Sequence, residues 1–327
     1  MVGRHLNKHG GADVIYKAIE IRDHEVPHPT TTAGIMTSTH PKIWARHPAM
    51  AAIIVALLIL QGLASPMKAQ ILASPDKGQY NDSLKKELRY GPFFGFYKDN
   101  YFLVGTSTNH VPNAINSDIK FQISLGIRLT NNTLPWNTYL FLMYTQKAFW
   151  NVFQKSMPMR DINFNPGIGI SRPFFVNDRY AGKLTLLIEH ESNGKDEEAS
   201  RSWNKISLSG SALINEWLMV HSKFWIPIVD GENNRDILKY SGLWQAGFVA
   251  STPTKKFSLG VTLVKRAGFN LNFNTIVDFI WRVSDKTNLN LLVQYYNGYG
   301  ENMIDYNEYH SRLRVGIVFR PHFFSEF

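Results

Sequence analysis

The sequence predicts an all-β chain, a transmembrane antiparallel β-barrel of twelve strands, and three observations carry that prediction. Hydrophobicity alternates with period two in about twelve segments of roughly 10–13 residues, the length of a strand that crosses a bilayer at a tilt. Turn clusters such as NNT, VND, GENN and SDK separate the segments. Aromatic residues reach 13%, with 14 Tyr. Several stand at segment ends, where a barrel places its girdles: Tyr139, Trp150, Phe174, Trp217, Trp225, Trp244 and Trp281. A soluble β-sandwich alternates too, but its strands average about 5–6 residues.

The chain ahead of the first segment reads as a leader. AMAAIIVALLILQGLA, residues 49–64, is the one continuously apolar stretch, short for a spanning helix of about 20 residues. Lys42 and Arg46 precede it, and small residues with SPMKAQ follow. Basic, then apolar, then small is the order of a secretory signal peptide. The expectation is an N-terminal extension over 1–35, a signal peptide over 36–69 with translation starting at Met36 and cleavage after Ala69, with Ala64 as the other fitting position, and a periplasmic segment over 70–90; the rival reading of 49–64 is an uncleaved anchor helix. The barrel then occupies 91–319 and a C-terminal tail 320–327.

Charge and composition remove several function classes. Of the formal +9, residues 1–69 hold +3, and the remaining Lys and Arg are scattered singly along alternating segments. No basic run marks a nucleic-acid surface, so nucleic acid is not an expected partner. The absence of Cys removes disulfides, thiolate metal sites and Cys nucleophiles together.

Taken in order, the strand segments lie near 93–105, 119–130, 139–150, 163–175, 183–194, 202–214, 217–229, 241–252, 256–266, 272–283, 288–299 and 309–319. In 256–266, Phe257, Leu259, Val261 and Leu263 oppose Ser258, Gly260 and Thr262. In 272–283, Phe273, Val277, Phe279 and Trp281 oppose Asn274, Asp278 and Arg282, and in 288–296 Leu289, Leu291, Val293 and Tyr295 oppose Asn290, Gln294 and Tyr296. In 311–319, Leu313, Val315, Ile317 and Phe319 oppose Arg312 and Arg314. The apolar face meets lipid and the polar face lines the interior.

The fifth segment breaks this rule. Leu184, Leu186 and Ile188 face lipid, which carries His190 and Ser192 onto the same outer wall, while Thr185, Glu189 and Glu191 face inward. In the sixth, Lys205, Ser207, Ser209 and Ser211 belong inside, so Asn204 is outside with Ile206, Leu208 and Ala212. A hairpin folding about residue 197 sets residues 190 and 204 opposite each other, with Cβ atoms ~5 Å apart. Polar groups on a lipid face are costly and need a reason. Ser is a weak nucleophile that needs a base, His accepts and returns a proton near pH 7, and a neutral Asn can hold the imidazole tautomer without placing a charge near the bilayer. Of the five His after residue 69, only His190 combines an outward Ser two residues on with an outward Asn across the hairpin. A lone His-x-Ser also fits two polar residues at the rim of the membrane band.

HESNGKDEEASRSWN, residues 190–204, resembles the active-site segment of the bacterial outer-membrane phospholipase A family, in which His-x-Ser-Asn-Gly precedes Ser-Arg-Ser-Trp-Asn at this spacing. KFQISL (120–125), YTQKAFW (144–150), DILKY (236–240) and GYGENMIDYN (298–307) are similar to corresponding family stretches, so the resemblance covers roughly 90–319. It implies a calcium-dependent enzyme of the cell outer membrane, a phospholipase A1/A2 that hydrolyses acyl esters of phospholipids and lysophospholipids and is active as a homodimer. By position, Ser192 matches the nucleophile, His190 the general base and acid, Asn204 its orienter, and the Gly194 amide an oxyanion donor. The resemblance further implies that Ca2+ is held by the Lys195 backbone carbonyl and the Ser200 hydroxyl, with the Ser156 hydroxyl supplied from the partner chain and Asn233 at a second calcium position. Alternation adds one point independently. Lys147 must face inward, so Gln146 faces lipid, where its amide needs a partner that a two-fold dimer interface would supply.

With the N-terminus in the periplasm, odd strands run outward, which sets residues 195–201 at the cell surface and the site at the level of the outer leaflet. A reading from another class is a passive pore or small-molecule transporter. Against it, the inward residues Glu189, Glu191, Lys205, Asp278, Arg282, Arg312 and Arg314 can pair and close a twelve-stranded interior.

Overall fold

The protein is described by a computed structural model over residues 94–320, apart from 178, 230, 285, 286 and 288. The expected N-terminal extension, signal peptide, periplasmic segment and tail beyond Arg320 lie outside the described residues. One antiparallel sheet holds thirteen strands: β1 (Phe94–Phe96), β2 (Asn100–Ser107), β3 (Ser117–Arg128), β4 (Tyr139–Trp150), β5 (Met159–Val176), β6 (Arg179–Ser192), β7 (Ser202–Leu213), β8 (Leu218–Ile228), β9 (Trp244–Ser251), β10 (Phe257–Lys265), β11 (Phe273–Arg282), β12 (Leu289–Gly298) and β13 (His310–Phe319). Strands β2 to β13 pair each with the next, and β13–β2 closes the ring. Both β1 and β2 pair with β3, so together they make one crossing and the barrel has twelve.

The interruption in that first crossing was not expected, since 93–105 reads as one strand segment, although the polar run Lys98, Asp99 and Asn100 stands at the break. Tyr97 leaves the wall and packs inward against Tyr139, Phe141, Met143 and Leu187. The Lys98 amide donates to Ser124 Oγ at 3.1 Å, and Asn100 exchanges hydrogen bonds with the Ser124 backbone.

Elsewhere the two faces separate as their residues dictate. Leu313, Val315, Ile317 and Phe319 are exposed while Arg312 and Arg314 are buried. The buried charges pair: Arg314 with Asp118 at 2.8 Å and Glu301 at 2.6 Å, Arg312 with Asp118 at 2.8 Å, and Lys120 with Glu301 at 3.2 Å. Glu189 pairs with Lys223 and Glu191 with Lys205, both at 2.7 Å. Asp278 instead accepts from Gln294, and Arg282 donates to the Thr254 carbonyl in a turn.

Two aromatic residues depart from the girdle expected of them. Phe174, Trp217 and Trp281 are exposed, but Tyr139 and Trp225 are buried in the interior. In both strands apolar residues occupy both faces, so a large ring at a strand end carries no sign of which way it points. Trp225 donates to the Gly242 carbonyl at 2.9 Å and joins Trp203, Ile237, Met303 and Tyr306 in an apolar cluster. That cluster fills the interior at the barrel end that bears the connections 193–201, 229–243 and 299–309. Below it lies a cavity of about 320 Å³ lined by Lys98, Lys120, Glu191, Lys205 and Gln294, among others.

Candidate active site

The site is built on the β6–β7 hairpin. Its register sets His190 opposite Asn204 and Ser192 opposite Ser202. Nδ1 of His190 lies 2.8 Å from Asn204 Oδ1. An amide oxygen only accepts, so with this amide orientation Nδ1 carries the proton and Nε2 keeps its lone pair. Ser192, the last residue of β6, shares the outward parity of His190, and among the described residues its hydroxyl makes no hydrogen bond. In an unliganded site the nucleophile–base contact commonly tightens only with substrate.

The surrounding surface is apolar. Ile188, Ile226 and Ile228 are each more than half exposed, and Ile206 is exposed beside Asn204. Asn204 pairs across β8 with Ile228, and Ser192 pairs across β5 with Phe164. A polar cluster of three residues therefore lies within a wall of isoleucine and phenylalanine.

What holds the outward residues still is the anchoring of their inward neighbours. Glu189 accepts from Ser207 at 2.5 Å and from Lys223. Glu191 accepts from Trp203 Nε1 at 3.0 Å and from Lys205, whose ammonium sits 4.4 Å from the Trp203 ring centre. Asn165 donates to the His190 carbonyl at 2.7 Å and to Glu189 at 3.3 Å. Asn193 closes the hairpin loop: its Nδ2 donates to the Ala199 carbonyl at 2.8 Å, and its Oδ1 accepts from the Arg201 amide at 2.9 Å. Asn234, fully buried, bonds both backbone groups of Ser202. Asn165, Asn193 and Asn234 are contributions that sequence reasoning missed. Asn193 stood in plain view inside SNGK, but its partners lie six and eight residues away and need the loop's shape to be found.

The loop also fixes Gly194. Its φ of +63° lies in the left-handed region, and an added Cβ would come 2.8 Å from Phe164 Cε2, so glycine is required twice over. Among the described residues, the Lys195 carbonyl and the Ser200 hydroxyl are engaged in no hydrogen bond, and exposed Asp196, Glu197 and Glu198 lie between them. Oxygen donors of this kind suit a hard divalent cation. Asn233 reaches this loop from the β8–β9 connection, donating Nδ2 to the Glu197 carbonyl at 2.7 Å. Ser156 lies in the β4–β5 loop, exposed and at a φ of +68°.

Gln146 faces outward with Tyr144, whose hydroxyl donates to it at 2.9 Å. It pairs with Phe164, and Phe164 with Ser192. Gln146 and Ser192 therefore sit in one row, two strands apart, or roughly 10 Å.

A profile of the family described as Phospholipase A1 matches residues 88–319. The phospholipase A1 of Salmonella typhimurium is 31% identical over 249 residues, covering 69% of this chain and 82% of that protein. That of Escherichia coli K12 is 30% identical over 247 residues, with the same coverage. A crystal structure of the Salmonella typhi outer membrane phospholipase dimer with bound calcium superposes with a TM-score of 0.62 at 27% identity, covering 72% of this chain and 96% of that one.

Proposed function

Because this chain belongs to the phospholipase A1 family, we propose that it hydrolyses acyl esters of phospholipids and lysophospholipids through Ser192, His190 and Asn204, with calcium, as a dimer. It is a multi-pass β-barrel of the outer membrane. The observation that carries the reading is the 2.8 Å His190–Asn204 pair on a lipid-facing wall, beside an outward serine. A pore has no use for a tautomer-fixed imidazole on its outer surface.

The chemistry follows from the geometry. Asn204 holds Nδ1–H, so Nε2 takes the Ser192 proton as Oγ attacks the ester carbonyl. The tetrahedral oxyanion forms against the Gly194 amide, whose direction the loop has already set. The imidazolium returns its proton to the departing lysophospholipid oxygen, leaving an acyl-serine. Water, deprotonated by the same Nε2, then releases the fatty acid. The same cycle at either acyl position gives A1 and A2 outcomes. Apolar acyl chains meet the isoleucines while the ester reaches the polar cluster.

Lys195 and Ser200 would hold calcium, with Ser156 of a second protomer completing the set and Asn233 near a second position. When bound, the ion would supply positive charge that favours the developing oxyanion. Few protein oxygens imply weak binding with retained waters, which suits a switch. A partner seated over Gln146 would cover the edge of the Ser192 row. With the long-loop end outward, the site meets the outer leaflet, and phospholipid displaced into that leaflet would recruit dormant monomers into active dimers.

Full-length protein refolded in detergent should release fatty acid with calcium and lose at least about 90% of that activity in chelator, regained on re-addition. Unchanged activity in chelator removes calcium from the mechanism; ion conductance in planar bilayers without any hydrolysis would replace the enzyme by a pore. Gly194→Ala is expected to lower kcat by about 10²-fold, the scale of one lost oxyanion donor, with KM little changed. A rise in KM alone would show that the amide serves binding instead.

A further inference from the structure

We propose that the β12–β13 connection carries a second cation site, made by Asp305, Glu308 and His310, for a borderline divalent metal of the zinc class. The ligand atoms of these three side chains all lie within 4.8 Å of one another. Tetrahedral zinc ligands at 2.0–2.2 Å stand roughly 3.4 Å apart, so modest side-chain rotation closes the set.

The second observation is His310 itself. It is 8% exposed, and among the described residues its Nε2 has no hydrogen-bond partner. A buried imidazole nitrogen left unpaired is costly and calls for an explanation. An acidic surface cluster does not need an imidazole. A metal does, and imidazole with carboxylates selects zinc-like ions over calcium, which prefers six to eight oxygens. Two carboxylates and one imidazole leave a coordination position for water or a ligand.

The frame is fixed rather than loose. The Met303 and Ile304 amides both donate to Asp161 Oδ2, at 3.0 and 2.9 Å, and the Glu308 amide donates to the Asp305 carbonyl at 2.9 Å. His310 begins β13, opposite Gly298. Arg160 now supplies the positive charge: its guanidinium is 2.5 Å from Asp305 and 3.6 Å from Glu308. It therefore competes with the ion, which must displace it from both carboxylates. None of these residues belongs to the proposed catalytic or calcium set, and the inference stands independently of that reading.

The test is zinc binding to the full-length protein refolded in detergent, by titration calorimetry in excess calcium, with cobalt absorption reporting coordination. One zinc per chain is expected at micromolar concentration. His310→Gln and Glu308→Gln should each weaken binding at least tenfold, while Arg160→Gln, which removes the competitor, should tighten it. Glu308 is mostly exposed, so its variant separates ligand loss from misfolding. Absence of binding at millimolar zinc, or equal binding by wild type and either ligand variant, overturns the site.

Discussion

Ser192→Ala is expected to cut fatty-acid release by more than about 10³-fold while leaving the barrel folded. The loss follows from the chemistry: without Oγ no acyl-serine forms, and what remains is binding and oxyanion stabilisation alone. Intact folding follows from the structure, because the Ser192 hydroxyl makes no hydrogen bond among the described residues and the hairpin is held by Glu189, Glu191 and Asn193. Asn204→Ala should cost less, about 1–3 kcal/mol in transition-state stabilisation, the worth of one lost partner to a part-buried group. The order of the two losses distinguishes nucleophile from orienter. Fatty-acid release at the wild-type rate by the Ser192→Ala protein, with unchanged thermal mobility on a gel, would mean that this patch is not the seat of hydrolysis.

Much of the site was legible because the period of a strand is two. Leu184, Leu186 and Ile188 announce a lipid face, parity carries His190 and Ser192 onto it, and hairpin arithmetic adds Asn204; the register places that pair opposite each other. Parity fails where both faces are apolar. Tyr139 and Trp225 were expected in the girdle and lie inside, since a closed interior wants large rings as much as an interface does. It fails again where the chain leaves the wall between β1 and β2: Lys98 and Asn100 share the parity of the exposed Phe96 and Phe102, yet Lys98 lines the cavity and Asn100 is buried, because the lost backbone pairing lets the chain turn off the wall. The bracing asparagines were hidden for a third reason: Asn234 meets Ser202 across 32 residues, a contact set by how two loops pack. The expected ion pairing inside came out at Glu189, Glu191, Lys205, Arg312 and Arg314, whereas Asp278 accepts from the neutral Gln294.

Arg314→Met should destabilise the barrel by about 3–5 kcal/mol at neutral pH, the cost of removing one member of a buried ion pair. Arg314 is 1% exposed and bonds Asp118 and Glu301 at once. Its loss leaves two interior carboxylates with, among the described residues, only Arg312 and Lys120 to answer them. Burial alone would raise the Glu301 pKa, yet Arg314 and then Lys120 hold it well below the ordinary carboxylate range. A depressed carboxylate stabilises the folded state above the unfolded-chain pKa of about 4.3, and that contribution fades as pH falls below it. The gap between wild type and variant should therefore be full at pH 7 and shrink towards pH 3, read as the shift in denaturant midpoint at constant m-value. A pH-independent gap would mean that Arg314 acts by packing against Phe149 and not by charge. A gap below about 1 kcal/mol at pH 7 would mean that the neighbouring cations reorganise to take its place.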